Sequence, residues 1–287
     1  RFGQNFPLKV VAWDHVDGSA LTVASSVSKL TDLAGKNVAV PFWYSIHNVI
    51  LQQLLAKAGL TPILKGEPSA AAREVKLVVM APPDMPPALA NGAIAGFIVA
   101  DPFNAISELN GAKVLRFTGD VWQQHACCVV VMHQDTIEQK PEWAQKVVTA
   151  LARAQLYSRD NRAATAELLS KEGNGYLPQP KPAILRALTH YDRAEYGKTG
   201  AIAHQDWQGE RIDFAPFPFP SYTEKLVQLL KETKVEGDTS FLSKLDPASV
   251  HAQLVDDRFA RAAIQAVGGP ARFGLDPSLG RDERFAP

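Results

Sequence analysis

Short apolar runs alternate with stretches of helical periodicity along the first 120 or so residues of the chain. Each run is bounded by Gly, Pro, Asp or Asn, and such an alternation is typical of an α/β domain with a largely parallel sheet. The predicted strands are residues 8–12, 21–24, 37–40, 75–79, 95–99 and 114–117. A further apolar run, residues 127–132, predicts another buried strand.

Helical periodicity is clearest after the third of these strands. Residues 46, 49, 50, 53, 54 and 57 repeat at helical spacing, and Gly59 follows the last turn. Ser45 is placed to cap the start of this helix. Residues 82–91 and 102–109 predict two more helices, each with proline in or near its first turn. Residues 141–160, 162–172 and 178–191 are also helical in pattern, so we expect an α/β half followed by a helical half, forming two lobes.

Three strand-to-helix junctions follow from this order, and in a parallel sheet they gather at the carboxyl edge, where α/β folds bind ligands. The first junction carries Phe42, Trp43, Ser45 and His47 at a predicted helix N-terminus. Unsatisfied N–H groups there favour anionic or electron-rich ligands, and His47 adds a hydrogen-bond donor. The alternative is that the aromatic side chains pack in the core and Ser45 only caps the helix. Composition alone favours that alternative.

The other two junctions are chemically plainer. Asp101 precedes the helix at 102–109, where it could accept hydrogen bonds from a ligand or help to hold a cation. Its alternative role is an ordinary helix cap, which the spacing alone favours. The junction at Pro83 offers chiefly backbone amides. His125 and His133 flank the strand at 127–132 without the spacing of a metal site.

Composition and charge exclude several classes of function. The chain has 287 residues, with 30 basic and 30 acidic side chains, so its charge gives no reason to expect nucleic acid as a partner. No apolar stretch approaches the roughly 20 residues that span a bilayer. The two cysteines are adjacent, Cys127 and Cys128, without the spacer of a metal or redox pair, and are interpreted as buried small hydrophobic residues. No phosphate loop, nucleophile elbow or zinc-helix motif is present.

Five motifs, taken together and in order, resemble a known family. They are residues 33–42 (LAGKNVAVPF), 45–48 (SIHN), 82–85 (PPDM), 101–104 (DPFN) and 125–128 (HACC). The sequence resembles the nitrate, sulfonate, bicarbonate and taurine group of ABC importer solute-binding proteins, in particular its nitrate- and bicarbonate-binding branch. The resemblance implies capture of a small oxyanion or small polar organic solute.

The fold implied by the resemblance is a type II periplasmic-binding-protein-like clamshell, in which two α/β lobes contain central, mainly parallel sheets. Residues 27–120 would form lobe 2. Residues 1–26 and 121–287 would form the remainder of lobe 1, with a helical C-terminal region. The family begins with a longer N-terminal portion, so we expect part of lobe 1 to lie outside this sequence.

The resemblance also implies a ligand site and its partners. The expected ligand-binding residues are His47, Trp43, Phe42, Ser45, Asp101, Ser19 and Pro83. No catalytic residue, metal or cofactor is expected, although a cation beside Asp101 is one alternative. The partners would be a small-molecule ligand and a membrane ABC permease, without nucleic acid or direct membrane insertion, in a periplasmic or otherwise extracytoplasmic location. Two alternatives stay open: a ligand-sensing regulatory domain, or an enzyme of the thiamine-pyrimidine-precursor type on the same fold.

Overall fold

The structure, a computed structural model, describes residues 1–287 and contains two β-sheets. The strands are β1 (Leu8–Asp17), β2 (Ser19–Val23), β3 (Lys36–Val40), β4 (Thr61–Ile63), β5 (Glu74–Val79), β6 (Gly96–Ala100), β7 (Lys113–Phe117), β8 (Ala126–His133) and β9 (Ile212–Asp213). The larger sheet has six strands in the order β4-β5-β3-β6-β2-β7, and the smaller has three in the order β8-β1-β9.

The larger sheet confirms the predicted α/β fold with a mainly parallel sheet. Strands β4, β5, β3 and β6 run parallel to one another, and β2, between β6 and β7, is antiparallel to both of them. All five strands predicted for this region are present. Only β4 was missed, because it is three residues long, lies at the sheet edge and contains Pro62, which weakens a strand pattern.

The smaller sheet differs from the prediction because both of its strand pairs are antiparallel. Strand β8 lies at its edge, and Val129 and Val131 are 42% and 50% exposed. A strand is present at 127–132, but the prediction that it is buried is wrong, because several of its side chains are exposed and the apolar run could not reveal this.

Three irregularities interrupt the pairing of β1 with β8, and the first leaves Val11 as an extra residue between the pairs Val10–Val131 and Ala12–Val130. Trp13 lies opposite Val129 and His15 opposite Cys128, so Asp14 is an extra residue on β1. The next pair is Val16 with Ala126, so Cys127 is an extra residue on β8. A bulge of this kind breaks the regular alternation of side chains between the two faces of a sheet.

Thirteen α-helices surround the sheets. They are α1 (Ile46–Lys57), α2 (Met85–Ala90), α3 (Phe103–Leu109), α4 (Thr118–Val121), α5 (Gln134–Gln139), α6 (Pro141–Asp160), α7 (Arg162–Leu169), α8 (Lys181–Thr189), α9 (Arg193–Thr199), α10 (Pro220–Glu232), α11 (Ser240–Ser243), α12 (Pro247–Leu254) and α13 (Arg258–Ala266). The predicted cap of α1 is confirmed, because the Ser45 side chain accepts a hydrogen bond from the Asn48 amide. No helix is both long enough and apolar enough to cross a membrane.

The two sheets are joined by a very short connection. Strand β1 ends at Asp17 and β2 begins at Ser19, so Gly18 alone separates them. Because β2 pairs with β6 and β7, the larger sheet begins at Ser19, ahead of the residue 27 predicted as the start of lobe 2. The division of the chain into lobes itself stays a prediction. The chain returns to the smaller sheet through α4 and β8.

One continuous core reaches both sheets. Its 41 buried residues include Val11 and Trp13 from β1, Val38 and Val40 from β3, and Ile50 from α1. Burial of this shared apolar surface is the main force that fixes one sheet against the other. It therefore also fixes the polar groups at the junction between them.

Candidate functional site

Three side chains from different elements meet where the two sheets adjoin. The Ser45 cap starts α1 just after β3, which places His47 in the first turn of that helix. His47 Nε2 lies 2.9 Å from Oγ of Ser19, the first residue of β2. Cys127 Sγ, on β8, lies 3.1 Å from the same Oγ and 3.7 Å from His47 Nε2. His47 and Ser19 are the two predicted ligand residues whose side chains hydrogen-bond to each other.

His47 is a neutral ring in this setting. Burial, aided by the charges of His125 and His15, lowers its pKa to about 3. A neutral imidazole carries one N–H donor and one acceptor nitrogen. Its buried Nδ1 has no hydrogen-bond partner within the protein. When the Ser19 hydroxyl donates to Nε2, the Nδ1 N–H becomes a free donor for a bound molecule, without a fixed positive charge.

A second histidine lies beside a buried carboxylate. His125 Nδ1 is 3.0 Å from Asp17 Oδ1, and the two side chains are 0% and 2% exposed. Burial raises the pKa of the Asp17 carboxyl, although the His125 ring opposes this shift. No local pattern indicates this contact, because the two residues are 108 positions apart. Their pairing comes from the antiparallel meeting of β1 and β8.

The adjacent cysteines are not buried small hydrophobic residues, and that interpretation is wrong. Both are free thiols; Cys128 is exposed and Cys127 is partly exposed. The two sulfur atoms and a ring nitrogen of His15 all lie within 4.8 Å of one another. A hydrogen bond from Cys127, together with the charge of His15, lowers the pKa of Cys128 to about 6. The interpretation rested on the apolar character of the run, which does not reveal that β8 lies at the edge of its sheet.

Asp101 has a different environment from the one expected at a ligand contact. Arg211 donates to both of its carboxylate oxygens, at 2.8 and 3.0 Å, and both side chains are 2% exposed. The Ala105 amide also donates to Asp101, at 3.1 Å, which is the capping role weighed as an alternative. The cation beside this carboxylate is therefore a guanidinium of the chain itself. Arg211 lies 110 positions from Asp101, so no local pattern predicts the contact.

Arg211 extends this charge network to a second acidic group. Its Nη1 lies 2.8 Å from Oε2 of Glu108, which also accepts from Arg186. Burial opposes ionisation of Glu108, yet the charges of Arg211 and Arg186 hold its pKa below the usual range. The buried acids in this region are thus neutralised by internal cations, and they leave little negative charge to repel an anion.

The four remaining predicted ligand residues take no part in the hydrogen bond between His47 and Ser19. The Ser45 hydroxyl donates to the Phe42 carbonyl at 2.7 Å and accepts from the Asn48 amide at 3.2 Å, so its bonds serve the helix start. Trp43 packs against the main core, as the alternative interpretation required. Phe42 is 58% exposed, and Pro83 is also exposed. Whether these four residues touch a ligand stays a prediction.

The fold and the polar junction between its sheets define a class, the periplasmic binding protein fold. The sequence model of the NMT1-like family matches residues 2–170, which is more than half of the chain. The chain therefore belongs to the NMT1-like family. Its predicted resemblance to the nitrate- and sulfonate-binding group is confirmed by the relatives described next.

A curated relative is the nitrate/nitrite binding protein NrtA of Nostoc sp., which is 24% identical over 270 residues. The match covers 84% of this chain, and the chain spans 58% of that relative's length. Among solved structures, the periplasmic nitrate-binding protein NrtA from Synechocystis superimposes with a TM-score of 0.73 at 18% identity, over 99% of this chain and 74% of that one.

A second solved structure is the ligand-binding component of an ABC-type import system from Staphylococcus aureus. It superimposes with a TM-score of 0.66 at 19% identity, over 91% of this chain and 75% of that one. At these identities the likeness establishes the fold and not the ligand.

Proposed function

We propose that this protein is the solute-binding component of an ABC importer. It would capture a small oxyanion or small polar organic solute between its lobes, outside the cytoplasm, and deliver the solute to a permease in the membrane. Family membership supports this proposal, as does the nitrate/nitrite binding activity named for the Nostoc relative. The partner permease and the extracytoplasmic location belong to the proposal.

The observation that carries the proposal is the buried His47 ring with a free Nδ1 beside Ser19. It lies where elements of both sheets meet, so a solute there would touch α1, β2 and β8 at once. A solute favours a closed form only through contacts that it gains on closure. Hydrogen bonds at such a junction are gained in this way, since both lobes must be in place to form them.

The charge distribution suits a small anion or a polar neutral molecule. Asp101 and Glu108 are neutralised by Arg211 and Arg186, so they do not oppose an anion. Hydrogen bonds from neutral donors to an ionised acceptor are short and strong in a site with little water. The positive end of α1, with its unsatisfied amides, adds to the same preference.

The same geometry favours binding over catalysis. A serine hydroxyl 2.9 Å from a histidine nitrogen is half of a nucleophile–base pair. In such enzymes a third group, usually a carboxylate, orients the histidine through its other nitrogen. His47 Nδ1 has no partner within the protein, so that third group is missing. We therefore propose a binding protein that performs no chemical step on its solute.

The experiment is a solute panel measured on the purified chain. Nitrate, bicarbonate, an alkanesulfonate and taurine are added in turn, and the melting temperature and calorimetric heat of binding are recorded. We expect one class to raise the melting temperature and to be recovered unchanged after incubation. His47→Gln should weaken its binding at least tenfold, whereas the control His133→Gln, on an exposed histidine at the end of β8, should not. Conversion of the solute, or equal binding by His47→Gln, would overturn the proposal.

A further inference from the structure

The irregularities at Asp14 and Cys127 in the smaller sheet bring a histidine and two thiols to one place. We propose that His15, Cys127 and Cys128 bind a thiophilic metal ion such as Zn²⁺ or Cu⁺, with Asp14 as the residue that positions His15. The proposal rests on these four residues and not on the transported solute. It departs from the expectation that the protein binds no metal.

The bulge at Cys127 removes the usual objection to adjacent cysteine ligands. In a regular strand, neighbouring side chains point to opposite faces of the sheet, so their sulfurs cannot share an ion. Cys127 has no residue opposite it, and Cys128 lies directly opposite His15. Opposed residues of antiparallel strands have their side chains on the same face and in contact distance. Both sulfurs and a nitrogen of His15 consequently lie within 4.8 Å of one another.

The bulge at Asp14 orients the histidine. Asp14 Oδ2 lies 3.3 Å from Nδ1 of its neighbour His15, so Nδ1–H donates to the carboxylate. The other nitrogen, Nε2, is buried and has no hydrogen-bond partner in the protein. A ligating histidine in a metalloprotein almost always donates its second N–H to a carboxylate, a carbonyl or water. His15 is already held in this arrangement, with a free nitrogen that a metal ion would satisfy.

The chemical types of the ligand atoms and the distances between them determine which metal ions the site favours. Thiolate and imidazole together favour Zn²⁺ or Cu⁺ over Mg²⁺ and Ca²⁺, which prefer oxygen. Zinc bonds of about 2.0–2.3 Å put neighbouring ligand atoms roughly 3.5–4 Å apart, so small side-chain rotations would close the present spacing. Each thiol releases its proton to solvent as its sulfur bonds the ion, and no electron is transferred.

Three protein ligands leave one position of a tetrahedral ion open. Cys127 Sγ is 3.7 Å from His47 Nε2, so an ion at this site would adjoin the proposed solute site. Cys127 borders both sites, whereas His15 and Cys128 belong to the metal cluster alone. The variants at His15 and Cys128 therefore distinguish loss of metal binding from loss of solute binding.

The test is metal titration of the reduced full chain. We expect one Zn²⁺ per chain by calorimetry, and Cd²⁺ should give an ultraviolet thiolate-to-metal charge-transfer band. Cys127 and Cys128 are the only cysteines in the sequence, so any such band reports on them. Cys127→Ser, Cys128→Ser and His15→Gln should each weaken Zn²⁺ binding at least tenfold. His133→Gln, which alters a histidine of β8 outside the cluster, is the matched control and should bind normally.

The variant Asp14→Asn tests whether Asp14 positions His15 for metal binding or serves only the fold. We expect Zn²⁺ affinity to fall by about 10–100-fold while the Cd²⁺ band keeps its intensity, because both sulfurs stay in place. Circular dichroism and the melting temperature without added solute or metal verify that each variant is folded. The proposal is overturned if the double variant Cys127→Ser/Cys128→Ser binds Zn²⁺ as tightly as the wild type. A stoichiometry of one ion per two chains, joined through exposed Cys128, would overturn it equally.

Discussion

Arg211 donates to both carboxylate oxygens of Asp101, and through this contact it ties the smaller sheet to the larger one. Asp101 directly follows β6, and Arg211 directly precedes β9. The two side chains are almost completely buried, so water does not screen their attraction. The pair is therefore an electrostatic link between the sheets, in addition to the apolar core that they share.

Replacing Arg211 should destabilise the fold severely. Arg211→Met leaves the buried Asp101 carboxylate without its cation, and we expect a loss of about 3–5 kcal/mol in the free energy of unfolding. Urea denaturation measures it. Arg258→Met is the control, because Arg258 pairs with Asp256 while 62% exposed and should cost under about 1 kcal/mol. Similar small losses in both variants would show that the buried pair contributes no more than a surface one.

The low pKa of His47 makes stability depend on pH. Burial is the first cause and the charges of His125 and His15 the second, and together they lower the pKa from 6.5 to about 3. Between these values the unfolded chain binds a proton that the folded chain does not, so protonation favours unfolding. Stability should fall as the pH decreases from about 6.5 towards 3, by up to about 1.4 kcal/mol per pH unit from this group.

Comparing the wild type with His47→Gln isolates the contribution of the His47 ring to the pH dependence. The glutamine side chain can still form a hydrogen bond with Ser19. Urea unfolding of both proteins at a series of pH values gives their difference in free energy. That difference should shift in favour of the variant as the solution is acidified, and it should be constant above about pH 7.5. A difference that does not change with pH would mean that the folded ring takes up its proton at the ordinary pKa.

The Gly18 connection between the sheets should not tolerate a side chain. Its φ is +75°, and an added Cβ would lie 2.8 Å from the Ile212 side chain. Gly111 has a φ of +88° with nothing within 4 Å of an added Cβ, so it is a matched control. Gly111→Ala should cost about 1 kcal/mol for the backbone conformation alone. Gly18→Ala should cost about 1–3 kcal/mol more, measured by urea unfolding, because the clash adds to that strain.

Two variants of Ser45 distinguish a role as helix cap from a role as ligand contact. Ser45→Ala removes the acceptor of the Asn48 amide and should cost about 1 kcal/mol of stability. Ser45→Asn retains a capping oxygen and should restore most of that loss. If the hydroxyl serves only the helix, both variants should bind the solute as the wild type does in calorimetry. Loss of affinity in Ser45→Asn, with stability restored, would instead support the predicted ligand role.

The parts of the fold that the sequence predicted are those determined by local pattern. Strand β3 and helix α1 are readable because the apolar positions, the Ser45 cap and Gly59 lie within a few turns of one another. His47 is a candidate for a related reason, since a helix N-terminus after a strand is a local signal, and the family resemblance adds the ligand role. The parallel order of the larger sheet follows from the alternation of strands and helices.

The parts that were missed depend on contacts between distant residues. Arg211 lies 110 positions from Asp101, and no local pattern connects them. His125 and Asp17 are likewise distant, and they meet only through the pairing of β1 with β8. The exposure of Cys128 depends on a strand being at a sheet edge and on a bulge, and neither changes the apolar character of the run.

The bulges at Asp14 and Cys127 have a consequence for how this corner of the protein can change over evolutionary time. Side-chain alternation has a period of two, so adding or removing one residue reverses which face each following side chain occupies. Deleting Asp14 would redirect its neighbours while leaving every thiol and imidazole in the sequence, whereas deleting Cys127 would also remove one of the ligands. A one-residue insertion or deletion at this position could therefore create or abolish the cluster without replacing any of its ligand residues.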